Sequence, residues 1–94
     1  MSIKTFRHRG LKRLAEDDDP RRLPSAMVGK LRRVLTVLDH AARPQDMDGM
    51  PGWRLHRLSG DLRGFWSVTI TGNWRIVFRM QDGDAFDVDL LDYH

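Results

Sequence analysis

The stretch that decides the fold runs from Trp53 to Phe78 and reads WRLHRLSGDLRGFWSVTITGNWRIVF. Apolar and polar side chains alternate along most of it, and a two-residue period is typical of strands with one buried face. The period predicts three strands that are joined by short turns at Ser59–Asp61 and Thr71–Asn73. After the hairpin signal Asp82-Gly83, a fourth strand is predicted to run towards the C-terminus.

The same alternation assigns these residues to two sides of the sheet, because successive side chains of a strand point to opposite faces. The apolar side is predicted to hold Trp53, Leu55, Trp66, Val68, Ile70, Trp74, Ile76, Phe78, Met80, Phe86, Val88 and Leu90. The opposite side is predicted to expose Arg54, His56, Phe65, Thr69, Arg75 and Arg79, and Ser67 and Val77 fall on it as well. A bare, basic sheet face with aromatic rings is a surface on which a nucleic acid can lie.

Two helices are predicted in front of the sheet, after an extended lead-in at residues 2–5 that can add one short strand. The first helix follows Thr5 as its N-cap and ends at the run Asp17-Asp18-Asp19-Pro20; its apolar stripe consists of Phe6, Leu11, Leu14 and Ala15. The second is capped by Ser25; its stripe consists of Met27, Leu31, Val34, Leu35, Leu38 and Ala42. These elements predict an α+β fold in which both helices pack on one face of a mainly antiparallel sheet of four to five strands.

Length and composition indicate one soluble domain spanning residues 1–94. There is no cysteine and no apolar run long enough to span a membrane, so a cytoplasmic protein without a signal peptide is expected. Residues 1–63 hold 14 Lys and Arg against 8 Asp and Glu, and 13 of the 16 basic residues in the chain are Arg. An Arg-rich surface suits a polyanion, although a solvated surface in a chain that simply prefers Arg to Lys explains the charge equally well.

Cleavage of RNA without a metal needs a base, an acid and a cation that stabilises the phosphorane. Histidine exchanges protons near neutral pH, so His56 and Arg75 on neighbouring strands supply the right residue types. The C-terminal run Asp92-Tyr93-His94 can add a second imidazole. The alternative interpretations are an ordinary surface histidine and a frayed terminus. The residue pattern alone therefore predicts a small basic α+β domain that is linked to nucleic acid, and nothing more specific.

No metal site or cofactor is expected. The four histidines, His8, His40, His56 and His94, are scattered without the spacing of metal ligands. The acidic residues from Asp82 to Asp89 do not match a calcium-binding loop. Glycine-rich phosphate loops and nucleophile-elbow motifs are also missing from the sequence.

Several short segments in order resemble the HigB-type toxins of the RelE/ParE superfamily, which belong to type II toxin–antitoxin systems. They are Leu55–Asp61, Gly64–Val68, Asn73–Phe78 and Asp92–His94, with Ile3–Lys12 fitting the opening of the family. The resemblance covers nearly the whole chain and implies a RelE-like fold. It implies as catalytic residues His56, Arg75, Asp92, Tyr93 and His94.

The resemblance further implies a ribosome-dependent mRNA endonuclease, or mRNA interferase, that inhibits translation. Such a toxin enters the A site of the 30S subunit and cuts the codon there without metal. The 2′-hydroxyl attacks, leaving a 2′,3′-cyclic phosphate and a 5′-hydroxyl. A HigA-type antitoxin with a helix-turn-helix domain neutralises the toxin, so operator DNA is contacted only indirectly through the antitoxin.

One residue departs from the family pattern. Ser59 stands where some members have a lysine before the Gly-Asp of the first motif, so Arg54 or Arg57 would have to supply that cation. The expected RNA-binding residues are Arg54, Arg57, Ser59, Phe65 and Arg79, with Phe65 stacking on a base. Arg75 would stabilise the phosphate, His94 act as base and His56 as acid, although the last two roles are interchangeable on sequence grounds.

Two other classes of function remain open from the sequence. A non-enzymatic toxin on the same fold would bind a target such as gyrase, in the manner of ParE, and would not depend on His56 or His94. A plain binding module would use the basic face only to dock RNA or an acidic protein.

Overall fold

The computed structural model describes residues 3–93 of the chain. Two helices come first, α1 (Arg9–Asp17) and α2 (Ser25–His40), followed by a 3-10 turn at Pro44–Met47. Within this range the sheet has four strands: β1 (His56–Arg57), β2 (Trp66–Thr71), β3 (Trp74–Gln81) and β4 (Asp84–Asp92). They lie in sequence order and each neighbouring pair is antiparallel. The predicted α+β architecture is confirmed.

The core lies between the helices and one face of the sheet. The sheet contributes Val68, Ile70, Ile76, Phe78, Val88 and Leu90, and the helices contribute Leu11, Leu14, Met27, Leu31, Val34, Leu35 and Leu38. Trp66, Trp74 and Met80 are half-buried against this core, so the predicted alternation in β2 and β3 is confirmed. The core therefore uses one side of β2 and β3. The alternate residues of these strands form a second surface on the side that faces away from the helices.

The lead-in segment lies beside β4 and does not belong to the first helix. Ile3 and Phe6 form parallel bridges with Ala85 and Val88. The Thr5 hydroxyl accepts a bond from the amide of Asp87 at 2.8 Å, and its carbonyl accepts one from the amide of Val88 at 3.1 Å. The predicted Thr5 N-cap is therefore wrong, because this residue is already bonded to β4.

The helix cap is His8, whose Nδ1 accepts a bond from the Leu11 amide at 3.2 Å. Gly10 allows this arrangement: a Cβ at Gly10 would lie 2.9 Å from Cε1 of His8 and 3.0 Å from Cδ2 of Leu23. The helix ends at Asp17, as the run of aspartates predicts. Ala15, which was assigned to the apolar stripe, is exposed.

The ends of α2 also differ from the prediction. Its N-cap is Pro24, and Ser25 makes no capping bond because it is the first helical residue. The helix stops at His40, so Ala41 turns into the core in place of Ala42. Within the described residues no helix is long and apolar enough to cross a membrane.

A bulge in β4 reverses the side of Phe86. Asp87 has a left-handed backbone with φ of 55°, and the register with β3 shifts between Val77 and Arg79. Phe86 consequently lies opposite Arg79, whose guanidinium carbon is 4.9 Å from the centroid of the ring, and Ala85 enters the core instead. The predicted inward position of Phe86 is wrong, because simple alternation does not count the extra residue of a bulge.

Candidate active site

A cleft of about 400 Å³ opens on the side of the sheet that faces away from the helices. Its lining consists of Arg54, Leu55, His56, Leu58, Ser67, Thr69, Arg75 and Tyr93. Three of the residues that were predicted to be catalytic, His56, Arg75 and Tyr93, thus share one depression. Among residues 3–93, the lining includes two arginines and a histidine and no Asp or Glu, a composition that favours an anion.

Strand register explains how the histidine and Arg75 come together. His56 lies opposite Ser67 on β2, and Arg75 on β3 lies opposite Thr69, two residues further along β2. Both side chains therefore leave the same face of the sheet, with only β2 between their strands. Neighbouring strands are roughly 4.8 Å apart, so two long side chains can reach across β2 to the same ligand.

The arginine is fixed by its own hairpin. Nη1 of Arg75 donates to the carbonyl of Gly72 at 2.8 Å and to that of Trp74 at 3.1 Å. Its guanidinium carbon lies 5.8 Å from the centroid of the Tyr93 ring. Two backbone carbonyls and an aromatic ring thus hold the cation in place.

Tyr93 is the residue of the C-terminal run that lines the cleft within the described range. The amide of Tyr93 donates to the carbonyl of Asn73 at 2.8 Å, which holds this residue beside the β2–β3 hairpin. Asp92 lies opposite Trp74, whose side chain packs on the helix side, and it does not line the cleft. His94 lies outside the described residues. Of the three predicted C-terminal residues, the structure brings Tyr93 to Arg75.

The two arginines that could replace the missing lysine lie on different sides. Arg54 lines the cleft, with a left-handed backbone at φ of 50°. Arg57 lies opposite Trp66, and its guanidinium carbon is 5.4 Å from the centroid of that ring on the helix side. Arg57 alternates with His56 along β1 and does not line the cleft, so its expected contact with RNA would have to lie outside the cleft. Ser59 is exposed at the start of a 3-10 turn, Gly60–Leu62, and does not line the cleft.

The open face is less bare than its sequence indicates. Phe65 is only 9% exposed, and the Arg7 guanidinium lies over its ring at 5.2 Å. Val77 on the same face is 1% exposed. The ring of Phe65 is therefore already packed and lies outside the cleft, an arrangement that disfavours the predicted stacking on an RNA base.

The last predicted contact, Arg79, is occupied by an ion pair. Its Nε donates to the carboxylate of Asp87 at 2.8 Å, and Arg7 lies 3.7 Å from the same carboxylate. The bond from Arg79 and the charge of Arg7 hold the pKa of Asp87 below its ordinary value, against a smaller opposing effect of burial. Arg79 lies on the predicted face but outside the cleft.

Two lining residues, Ser67 and Thr69, had received no role from the sequence. Alternation assigned both to this face, and their pairing with His56 and Arg75 is the signal that could have identified them. Within residues 3–93, no three His, Asp or Glu side chains lie close enough to hold a metal ion. The arrangement can bind a phosphodiester between a guanidinium, an imidazole and two hydroxyls.

Comparison with known proteins gives consistent matches over the whole chain. Residues 4–94 match the family described as RelE-like toxin of type II toxin–antitoxin system HigB. The chain is 37% identical over 92 residues to Endoribonuclease HigB of Proteus vulgaris, covering 98% of this chain and 99% of the relative. It is 36% identical over 90 residues to Toxin HigB-1 of Vibrio cholerae, covering 95% and 94%.

Two solved toxin structures share the fold. A crystal structure of a YafQ variant from E. coli superposes with a TM-score of 0.62 at 15% identity, covering 96% of this chain and 90% of that one. A YoeB/ParE toxin from Agrobacterium tumefaciens superposes with a TM-score of 0.61 at 20% identity, covering 100% and 99%. At these identities the likeness concerns the fold alone.

Proposed function

The chain belongs to the HigB family of RelE-like toxins of type II toxin–antitoxin systems, and from this premise we propose that it is an endoribonuclease that cuts mRNA at the cleft around Arg75. The observation that carries the proposal is the meeting of His56, Arg75 and Tyr93 in one cationic depression. The relative named Endoribonuclease HigB, which matches nearly end to end, supports the same activity.

The proposed reaction uses the 2′-hydroxyl of the RNA itself as nucleophile. A base takes the 2′-proton, the 2′-oxygen bonds to phosphorus, and the bond to the 5′-oxygen breaks as an acid protonates that oxygen. The products are a 2′,3′-cyclic phosphate and a 5′-hydroxyl. One protein group accepts the 2′-proton and another donates a proton to the 5′-oxygen. The chemistry proposed for these residues is therefore acid–base catalysis with charge stabilisation.

Arg75 is proposed to bind the non-bridging oxygens as negative charge builds up on them. Its guanidinium is held by two carbonyls and the Tyr93 ring, so it needs little rearrangement when the phosphorane forms. His56 is proposed as the acid; its side chain leaves the same face of the sheet as Arg75, from the other side of β2. His94 is proposed as the base, oriented by Tyr93 or Asp92.

We further propose that cleavage takes place on the ribosome. Within residues 3–93, the cleft is a shallow depression on the sheet that is lined by two arginines, Arg54 and Arg75, and it offers no enclosed groove to straighten an RNA strand. The 30S A site would present the codon in an extended form. A HigA-type helix-turn-helix antitoxin is the proposed partner, with operator DNA bound through it, and the cytoplasm is the proposed location.

Primer extension on mRNA in a reconstituted translation system tests the proposal. The wild-type protein should produce cuts within codons when ribosomes are present, and none on the same mRNA without them. Arg75→Ala should weaken the cuts about 10²- to 10³-fold. Arg22→Ala, which removes an exposed arginine far from the cleft in sequence, should retain them. Uncut mRNA with the wild type, together with inhibition of gyrase supercoiling, would favour a ParE-like toxin instead.

A further inference from the structure

Ser67 is the only buried polar residue among residues 3–93, with 4% of its surface exposed. It lies in the middle of the cleft floor, opposite His56 on one side and opposite Val77 on the other. Val77 is 1% exposed and offers no hydrogen-bonding side chain. The Ser67 hydroxyl therefore has the apolar Val77 side chain beside it within the protein and the cleft on its other side.

The hydroxyl of Ser67 has no hydrogen-bond partner within the described part of the protein. In the same range, no polar side-chain atom that is sealed from solvent lacks a partner. The Ser67 oxygen must therefore open into the cleft. A nearly buried hydroxyl without a partner is costly, because it has given up most of its water without gaining a hydrogen bond.

A ligand in the cleft can supply the missing partner. Arg54, His56 and Arg75 line its walls, so the group drawn to the floor is an anion, and a serine hydroxyl can donate to an anionic oxygen. Such a charge-assisted bond is shorter and roughly twice as strong as one between neutral groups. The half-buried Thr69, by contrast, keeps access to water and does not depend on a ligand in the same way.

We propose that Ser67 is a phosphate-binding residue, whose hydroxyl donates to a non-bridging oxygen of the RNA phosphodiester held between His56 and Arg75. This proposal rests on the proposed ribonuclease function and adds to it a contact from the floor of the cleft. The floor contact would fix the depth of the phosphate, while Arg75 neutralises its charge from the side.

The test combines variants of Ser67 with RNA in which sulfur replaces one non-bridging oxygen at the cut position, each stereoisomer being assayed separately on ribosomes. Ser67→Ala should lower the rate of cleavage of normal RNA roughly 10- to 100-fold. Ser67→Cys, which keeps the volume but donates weakly, should be similarly slow. Thr71→Ala, which removes an exposed hydroxyl from the same strand outside the cleft, should cleave like the wild type.

One sulfur isomer should slow the wild type several-fold and slow Ser67→Ala no further, since the bond it weakens is already lost. A purely structural role predicts instead that the two effects multiply, and this outcome would overturn the proposal. Ser67→Ala cleaving normal RNA at the wild-type rate would overturn it as well.

A binding measurement separates failure of this proposal from failure of the ribonuclease function. The probe is a ribosome carrying mRNA with a 2′-deoxy nucleotide at the cut position, and fluorescence anisotropy measures its binding to the full chain labelled with a fluorophore. Weaker binding by Ser67→Ala than by Thr71→Ala supports the phosphate contact even if the wild type does not cut mRNA. Equal binding by both variants counts against Ser67 whether or not the wild type cuts.

Discussion

Arg75 holds its guanidinium 5.8 Å from the centroid of the Tyr93 ring while Nη1 is bonded to two backbone carbonyls. The first of these carbonyls belongs to Gly72 in the preceding turn, and the ring belongs to the segment after β4. Two parts of the chain that are distant in sequence therefore fix one cation. This preorganisation is what a residue that stabilises transition-state charge requires.

Substitution of this cation should impair catalysis without unfolding the protein. Arg75→Ala is expected to lower the rate of single-turnover mRNA cleavage about 10²- to 10³-fold. Arg75→Lys keeps the charge but loses the planar fork, and should recover only part of the rate. Arg22→Ala is the matched control. Wild-type cleavage by Arg75→Ala, with the variant shown to be folded by circular dichroism, would refute the role.

The acid role of His56 has a specific chemical test. His56→Gln should slow cleavage roughly 10²- to 10⁴-fold. RNA with sulfur in place of the 5′-bridging oxygen has a leaving group that needs no protonation, so the variant should cleave this RNA almost as fast as the wild type does. His40→Gln, an exposed histidine on α2, is the control. If the sulfur substrate does not rescue His56→Gln, His56 is not the acid.

Substitutions of the two arginines of the first motif should have different effects, one on cleavage and the other on stability. Arg54→Gln removes a charge from the cleft and should lower cleavage about 10-fold, in line with the loss of one hydrogen bond to a charged group. Arg57→Gln should leave the rate within about twofold and lower the free energy of unfolding by about 0.5–1 kcal/mol, through loss of the contact with Trp66. Cleavage rates and urea unfolding of both variants check this; the reverse pattern would restore Arg57 to the RNA side.

Phe65 should affect stability and leave RNA recognition unchanged. Because its ring is 9% exposed, Phe65→Ala is expected to lower the free energy of unfolding by about 3 kcal/mol, as for other buried aromatic residues. Phe65→Leu, which keeps an apolar side chain but no ring, should fold and cleave at nearly the wild-type rate. Folded Phe65→Leu with a strongly reduced affinity for RNA would instead revive the stacking role.

The ion pair of Asp87 with Arg79 and Arg7 should make part of the stability depend on pH. The folded state lowers the pKa of Asp87, so its contribution is complete above the ordinary aspartate value near 4 and is lost as pH falls towards the lowered value. Asp87→Asn should therefore be less stable than the wild type at pH 7, by about 1 kcal/mol, and the two should converge in strong acid. A difference that stays constant from pH 7 down to pH 2 would contradict this.

The sequence predicted the layers of the fold because periodicity reports burial directly. A two-residue period in β2 and β3 and the helical period of α2 follow from which side chains must leave water, and the structure confirms them. The boundaries were less accurate where a tertiary contact competes with a local signal. Thr5 has the chemistry of an N-cap, yet β4 takes its hydroxyl, and His8 caps the helix instead.

The candidate site, like the fold, was predicted from the sequence only in part. Alternation alone assigned His56 and Arg75 to one face, and the family resemblance singled out the same residues and Tyr93. Only the tertiary structure decided that Phe65 is packed beneath Arg7 and that Asp92 pairs with Trp74. It also revealed the nearly buried hydroxyl of Ser67 between the strands. A local pattern records which side of its own strand a residue occupies, whereas strand register, bulges and the covering of one element by another depend on contacts between residues far apart in the chain.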